Sequence, residues 1–425
     1  MDGPLSRRAF LGAAGLATAG VTAGCSSTIT GTAPPTETGA AAGADAAGSA
    51  PDVAQATFRG GLQRHGVYPE ATIPESPAVE WTRRGLNTGD HTAAKASPVA
   101  TPDGDLVVPS DAGIVQRYTP AGDLVWSKRI THAARGIHGT PTIVDDTVYI
   151  GAYDGVLSAL DLATGARRWR ANLGDAIGSS PGYHDGVVYI AVEYYEPSGA
   201  MFGLDAATGE VVWEDQRPTD HPHSTCAIDR EAGRLVVGSN DGRLYAWSYP
   251  DLEFQWSFPT GDAIKGPIAT YDGSAFFGSW SDSIYRVSLA DGELEWAVET
   301  GGYVMSGPSI EPETETVYIG SHDSNLYALD VATGTEQWRF ETDGWLIGCP
   351  TVTRDHVLVG SYDGFCYAVD KATGEETWRV AGVGRVTGTP LVLDGTVYFT
   401  DRASAEYLDD GSGQTGGLYK VVARE

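Results

Sequence analysis

Basic side chains are scarce in this chain, and lysine most of all. Lys and Arg total 28 of 425 residues against 56 Asp and Glu, a formal charge of −28, and the lysines are only Lys95, Lys128, Lys265, Lys371 and Lys420. A surface so short of cations cannot neutralise phosphates, which excludes nucleic acid as a partner class. Abundant carboxylates with little lysine suit concentrated salt, where screening makes self-repulsion tolerable, so a halophilic setting is expected. No apolar run is long enough for a spanning helix. Cysteine is rare: after Cys25 come only Cys226, Cys349 and Cys366. Cys349 and Cys366 fall on the first and third strands of one repeat, too far apart to bridge across an intervening strand. Free, buried thiols are therefore expected.

What is abundant is glycine (55) and tryptophan (11), with 41% hydrophobic residues. That composition excludes a disordered chain, a collagen and a coiled coil. At this length it implies two or three domains or one repeat array.

The first residues read as an address. Ser6-Arg7-Arg8-Ala9-Phe10-Leu11 resembles a twin-arginine export signal, followed by small, weakly apolar residues, and 1–24 is set apart from the fold as a signal peptide. Thr22-Ala23-Gly24-Cys25 resembles a lipobox, although Thr22 stands where an aliphatic residue is usual. Lipidation of Cys25 would hold the chain on the extracytoplasmic face of the membrane. Residues 25–52, rich in Ser, Thr, Gly, Ala and Pro, read as a flexible tether.

The body, 53–425, is one motif repeated. Trp81, Trp126, Trp169, Trp213, Trp256, Trp296, Trp338 and Trp378 are spaced 45, 43, 44, 43, 40, 42 and 40 residues apart. Asp161-Leu-Ala-Thr-Gly165 leads to Trp169, and Asp-x-x-Thr-Gly recurs from Asp205, Asp330 and Asp370. Weaker copies precede Trp126 and Trp296, and Tyr249-Pro-Asp251 before Trp256 has lost the Thr-Gly. Each unit reads as four short strands with tight-turn chemistry between them, as in Thr140–Val144, Thr147–Gly151, Gly155–Leu160 and Arg167–Arg170. Such a unit repeated eight times predicts an all-β, eight-bladed β-propeller of four-stranded antiparallel blades. The last unit lacks its Trp strand, and Ala78–Trp81 from the N-terminal side is expected to supply it and close the ring. Burying about 150–250 Å² of each indole at an interblade contact contributes roughly 4–6 kcal/mol at most.

The Asp-x-x-Thr-Gly-x-x-x-Trp signature resembles the tryptophan-docking repeat of pyrroloquinoline quinone (PQQ) propellers, over about 81–422. That resemblance implies the interblade role for all eight tryptophans and leads to two functional classes. One is the quinoprotein alcohol and sugar dehydrogenases, which hold PQQ and Ca²⁺ over the propeller axis. The other is non-catalytic scaffolds such as the BamB-type lipoproteins, which use the ring as a docking surface. The adjacent cysteines common in the dehydrogenases are absent here, and the repeats leave little room for a lid beyond excursions at 193–201 and 403–417. The scaffold class is therefore expected, with no catalytic residue assigned and no cofactor established.

Ligand sites on propellers gather at one mouth of the channel, where the loops between blades meet the turns between second and third strands. Arg135, His138, His223, Lys265, Trp345 and Arg385 are the candidate ligand contacts there; rare cations at one mouth of an acidic protein would focus an anion. Under the dehydrogenase reading the same cations would meet the carboxylates of PQQ. His221-Pro-His223 has no third ligand at diagnostic spacing, so no metal site is assigned. The expected picture is a monomeric, membrane-anchored propeller binding a protein, glycan or small anionic ligand.

Overall fold

The computed structural model describes residues 57–87, 96–402 and 415–424. The signal at 1–24, Cys25 with its tether, His91, Lys95 and most of the excursion at 403–417 lie outside them. None of the described helices is long and apolar enough to cross a membrane.

Eight antiparallel sheets follow one another along the chain. Blades 1 to 7 span 99–129, 142–172, 182–215, 227–259, 269–299, 309–341 and 351–381, each ordered first to fourth strand without a crossover. Side-chain placement follows the pleat and the depth in the blade. Thr147–Gly151 is buried throughout and Val156–Asp161 nearly so, whereas Arg167–Asn172 turns alternate residues outward, as an outermost strand must. The first strands are shorter than the sequence suggests: Thr142–Val144 rather than a strand starting at Thr140. The Thr140 amide instead meets the Ser180 hydroxyl of the next blade at 2.9 Å, which draws that end out of the ladder.

Blade 8 is built from both ends of the described chain. Leu391–Leu393, Thr396–Arg402 and Gly416–Ala423 pair in order, and Pro77–Asn87 lies antiparallel on the last of them, longer than the expected Ala78–Trp81. The sheet is closed by pairing, so the ring has no open seam there.

Seven of the eight indoles donate to a backbone carbonyl of the following blade. Trp126 reaches Leu162 at 2.8 Å, Trp169 reaches Ala206 at 2.9 Å, Trp296 reaches Val331 at 2.9 Å and Trp338 reaches Lys371 at 3.0 Å. Trp256 reaches Leu289 and Trp81 reaches Pro120, both at 3.2 Å. Trp378 faces blade 8, whose outer turn is the gap between the chain ends, and finds Pro74 at 2.8 Å just ahead of the closing strand. Trp213 meets the blade that lost its Thr-Gly; it packs edge-on to Trp247, ring centroids 5.7 Å apart, in place of the carbonyl contact.

The receiving turn has a physical reason for each residue. The Asp161 carboxylate accepts from the Thr164 amide and hydroxyl at 2.9 and 2.7 Å, pinning the turn. Gly165 follows at φ +68°, and a Cβ there would sit 2.8 Å from the Trp126 ring. Glycine is needed twice over, for the backbone angle and for the approach of the indole. Hydrogen bonds from Arg168 and Thr164 hold the Asp161 carboxyl down at about 2.

A further segment, Thr57–Thr72, crosses the inner strands of blades 4 to 7. The amides of Ile228, Thr270 and Ile310 donate to the carbonyls of Leu62, Gln63 and His65, each at 3.0 Å, and Val352 exchanges bonds with Gly66 and Tyr68. Arg64, buried, donates to the carbonyls of Phe58, Cys226 and Pro181, and Arg59 to those of Gly307 and Pro308. Phe58 shares a small void with residues from blades 2, 3, 4, 5, 7 and 8, which puts its ring on the channel axis. This plug closes the channel at the end away from the interblade loops.

Replacing Trp338 by alanine is expected to cost about 3 kcal/mol through cavity formation, and Gly374→Ala, at φ +73° with a Cβ 2.7 Å from that indole, to be comparably damaging. Arg385→Ala at the rim should leave denaturant unfolding almost unchanged. A reversal of this order would remove the interblade indole as the main structural contact.

Candidate functional site

The mouth opposite the plug holds a cavity of about 490 Å³, lined by residues of blades 2 to 7 and the loops between them. That size suits a small ligand. Its lining has two halves of different chemistry.

One half is an arc of rings. Trp280, on the turn between the second and third strands of blade 5, stacks on Tyr303 from the following interblade loop at 4.8 Å and 7°. His322 and Trp345 repeat this one blade on, at 4.8 Å and 3°. Tyr362 continues the arc 5.4 Å from Trp345. Cations cap both ends: Lys265 Nζ lies 3.6 Å from the Trp280 centroid and the Arg385 guanidinium 4.9 Å from that of Tyr362. The arrangement is a consequence of the repeat. Each blade sets one turn residue beside one loop residue, so aromatics at both positions stack in register around the ring. Tyr303 and Trp345 stay 44% and 49% exposed, enough to meet a ligand.

The other half is polar and partly ionic. Arg135 lies over Tyr153 at 5.6 Å, and Glu193 accepts from or pairs with His223 Nδ1 at 2.8 Å, both side chains buried. Burial works against the charged form of Glu193, but His223, with His221 and Arg135 behind it, outweighs that and holds the carboxyl below the ordinary glutamate value. Burial lowers the Lys265 pKa, while Glu193, Asp220 and Asp262 pull it back up. Burial also drives the Tyr153 hydroxyl well above the usual tyrosine range, with Glu193 adding to it.

Of the residues expected at the mouth, Arg135, His223, Lys265 and Trp345 line the cavity. His138 sits deeper, 2% exposed, with its ring 4.2 Å from Tyr153 and its side chain on the void beneath that Phe58 floors. Arg385 stands behind Tyr362 and does not line the cavity. Trp280, Tyr303, His322 and Tyr362 fall on the loops and turns that form the mouth, and their joining into an arc required the ring closure. Glu193 was masked by the surplus of acids; the signal that singles it out is its place at the end of a buried strand, Val187–Glu193, where the blade's longest turn begins. Cys226, Cys349 and Cys366 are free and buried, as expected.

The PQQ group implied by the resemblance fits this cavity in part. Arg135 and Lys265 suit its carboxylates, and Glu193 and Asn240 are residue types that hold the metal in that class. Glu193, however, is already engaged by His223, and among the described residues no group of three or more His, Cys, Asp or Glu could hold a metal ion. The described side chains suit the carboxylates of PQQ and do not by themselves assemble a metal-binding cluster.

The fold is an eight-bladed β-propeller of indole-docked repeats, closed by the plug at one end among the described residues and open to an aromatic and cationic funnel at the other. The chain belongs to the family described as outer membrane protein assembly factor BamB, which matches at 111–231, 221–343 and 322–415. It is 28% identical over 207 residues to the outer membrane protein assembly factor BamB of Yersinia pestis, covering 46% of this chain and 50% of that one. It is 26% identical over 209 residues to the serine/threonine-protein kinase AfsK of Streptomyces coelicolor, covering 48% and 24%. These matches span half or less of each relative. The quinohemoprotein alcohol dehydrogenase structure from Comamonas testosteroni superposes with a TM-score of 0.69 at 16% identity, covering 88% of this chain and 81% of that one, which shows the shared fold alone.

Because the Glu193 pKa is lowered, the stability its pairing contributes is present above the ordinary glutamate value and is lost as pH falls through the lowered one. Glu193→Gln is expected to cost about 1–3 kcal/mol at pH 7 and to flatten that part of the acid loss, read from thermal unfolding between pH 3 and 7.

Proposed function

We propose that this propeller is a non-catalytic binding module that docks a small, ring-bearing anionic ligand, or the anionic tip of a glycan or protein, in the funnel. The observation that carries this reading is the arc of stacked rings capped by Lys265 and Arg385 in a chain of net charge −28. Aromatic faces pack on planar or pyranose rings, and cations gathered at one mouth of an acidic body focus negative charge there. Family membership supports a docking role over chemistry. Lipidated Cys25 behind an export signal would hold the module on the extracytoplasmic face of the membrane, in concentrated salt, at the end of its tether.

Binding is tested by quenching of tryptophan fluorescence with hexuronate oligosaccharides and aromatic carboxylates, each against its neutral counterpart. Saturable binding of the anionic members, weakened at least tenfold by Trp345→Ala and by Lys265→Met, is expected. Equal response to charged and neutral members, or indifference to both substitutions, would overturn the reading. Cys25→Ser is expected to release the protein from the membrane fraction to the soluble one.

The second reading, a PQQ-dependent dehydrogenase, draws on the dehydrogenase fold match and on Glu193 and Asn240 facing the cavity. Incubation with PQQ, Ca²⁺ and a dye acceptor decides it: reduction by a simple alcohol or aldose would replace the first reading, and the expected result is none.

A further inference from the structure

The junction of blade 8 with blade 1 carries a charge that its surroundings do not answer. Arg402, at the end of the strand Thr396–Arg402, is 1% exposed, and among the described residues none of its three guanidinium nitrogens has a hydrogen-bond partner. Buried guanidinium groups elsewhere in the molecule are answered: Arg59 and Arg64 by backbone carbonyls, Arg117 by Asp103 and Asp105. The acid beside it, Asp401, is fully occupied. It accepts from the amides of Val383, Gly384 and Gly417 and from the Tyr419 hydroxyl. Arg385 is the Cα partner of Arg402 across the paired strands, so a second guanidinium is brought beside the first. Among the described residues Asp111 is the carboxylate whose charge reaches Arg402, and it makes no hydrogen bond to it. Burial draws the Arg402 pKa below its ordinary value, Tyr362 and Asp111 opposing and Arg385 adding.

A buried cation without an acceptor is costly unless a charge of opposite sign joins it. Two guanidinium groups side by side match the geometry of a tetrahedral or planar oxyanion, which accepts several N–H donors at once. We propose that Arg402 and Arg385 form an anion subsite at the closing junction of the ring, taking a phosphate, sulfate or carboxylate group. Arg385, half-buried and over Tyr362, marks its solvent side and sets it at the end of the aromatic arc. The oxyanion is either a free inorganic ion or the charged group of a molecule seated in the funnel. The subsite is argued from these two arginines alone and does not depend on the funnel reading.

The test is isothermal titration of the full chain with inorganic phosphate in chloride-free buffer at fixed ionic strength. One saturable equivalent is expected, weakened at least tenfold in Arg402→Met and in Arg385→Gln. Without phosphate, Arg402→Met should melt no lower than the parent, because it removes a buried charge that has no partner among the described residues; phosphate should raise the melting temperature of the parent and not of the variant. No saturable uptake of phosphate or sulfate by the parent, or unchanged affinity in Arg385→Gln, would overturn the subsite. Trp345→Ala should leave phosphate uptake intact, which separates this result from the funnel binding. Displacement of phosphate by hexuronate would assign the anion to the funnel ligand, and its persistence to a free ion; each requires the subsite.

Discussion

The contact on which the molecule depends is an indole laid against the turn of the next blade, its N–H on a backbone carbonyl. One blade alone buries too little to stand, and each of these contacts covers the flank of a neighbour. The turn must therefore be tight, positively twisted and bare of a side chain, which is why Asp, Thr and Gly recur together. Trp213 shows the converse. Where the turn has become Tyr249-Pro-Asp251, the indole keeps its packing on Trp247 and has no carbonyl contact of the kind its counterparts make. At Trp378 the ring solves a different problem: no covalent turn joins the third and fourth strands of blade 8, and Pro74 offers its carbonyl instead.

The same repetition builds the funnel. With the blades fixed at equal steps, a turn residue and a loop residue from each are brought to one height around the axis, and what the mouth can recognise is decided by their side chains. Blades 5 and 6 place rings at both positions and blade 7 adds Tyr362, which produces a stacked arc; blades 2 to 4 place Tyr153, Glu193, His221 and Asn240 there and produce a polar wall. The scaffold is conserved by geometry from blade to blade while the chemistry changes across it.

Much of this could be read before any coordinates, because a beat of tryptophans is a long-range signal carried by short, local motifs. Eight blades, the supplied outer strand and the mouth positions all follow from it. What could not be read lies outside the beat. The plug at 57–72 has no repeat, and it is held by backbone pairing with the inner strands and by Arg59 and Arg64 donating to backbone carbonyls, acceptors that leave little trace in residue type. Arg385 belongs to the right loop, but the face its side chain takes is set by Tyr362. Glu193 was hidden among 56 acids until burial and His223 distinguished it. Cavity membership depends on how rings from non-adjacent segments meet, and spacing alone does not contain that.

The plug also limits what can use the channel. With Phe58 on the axis and Arg59 and Arg64 fastened to the inner strands behind it, the described residues leave no through-passage. A long polymer cannot be threaded from one side of the disc to the other; only a terminus, a side branch or a free small molecule can be admitted, and it must back out by the door through which it came.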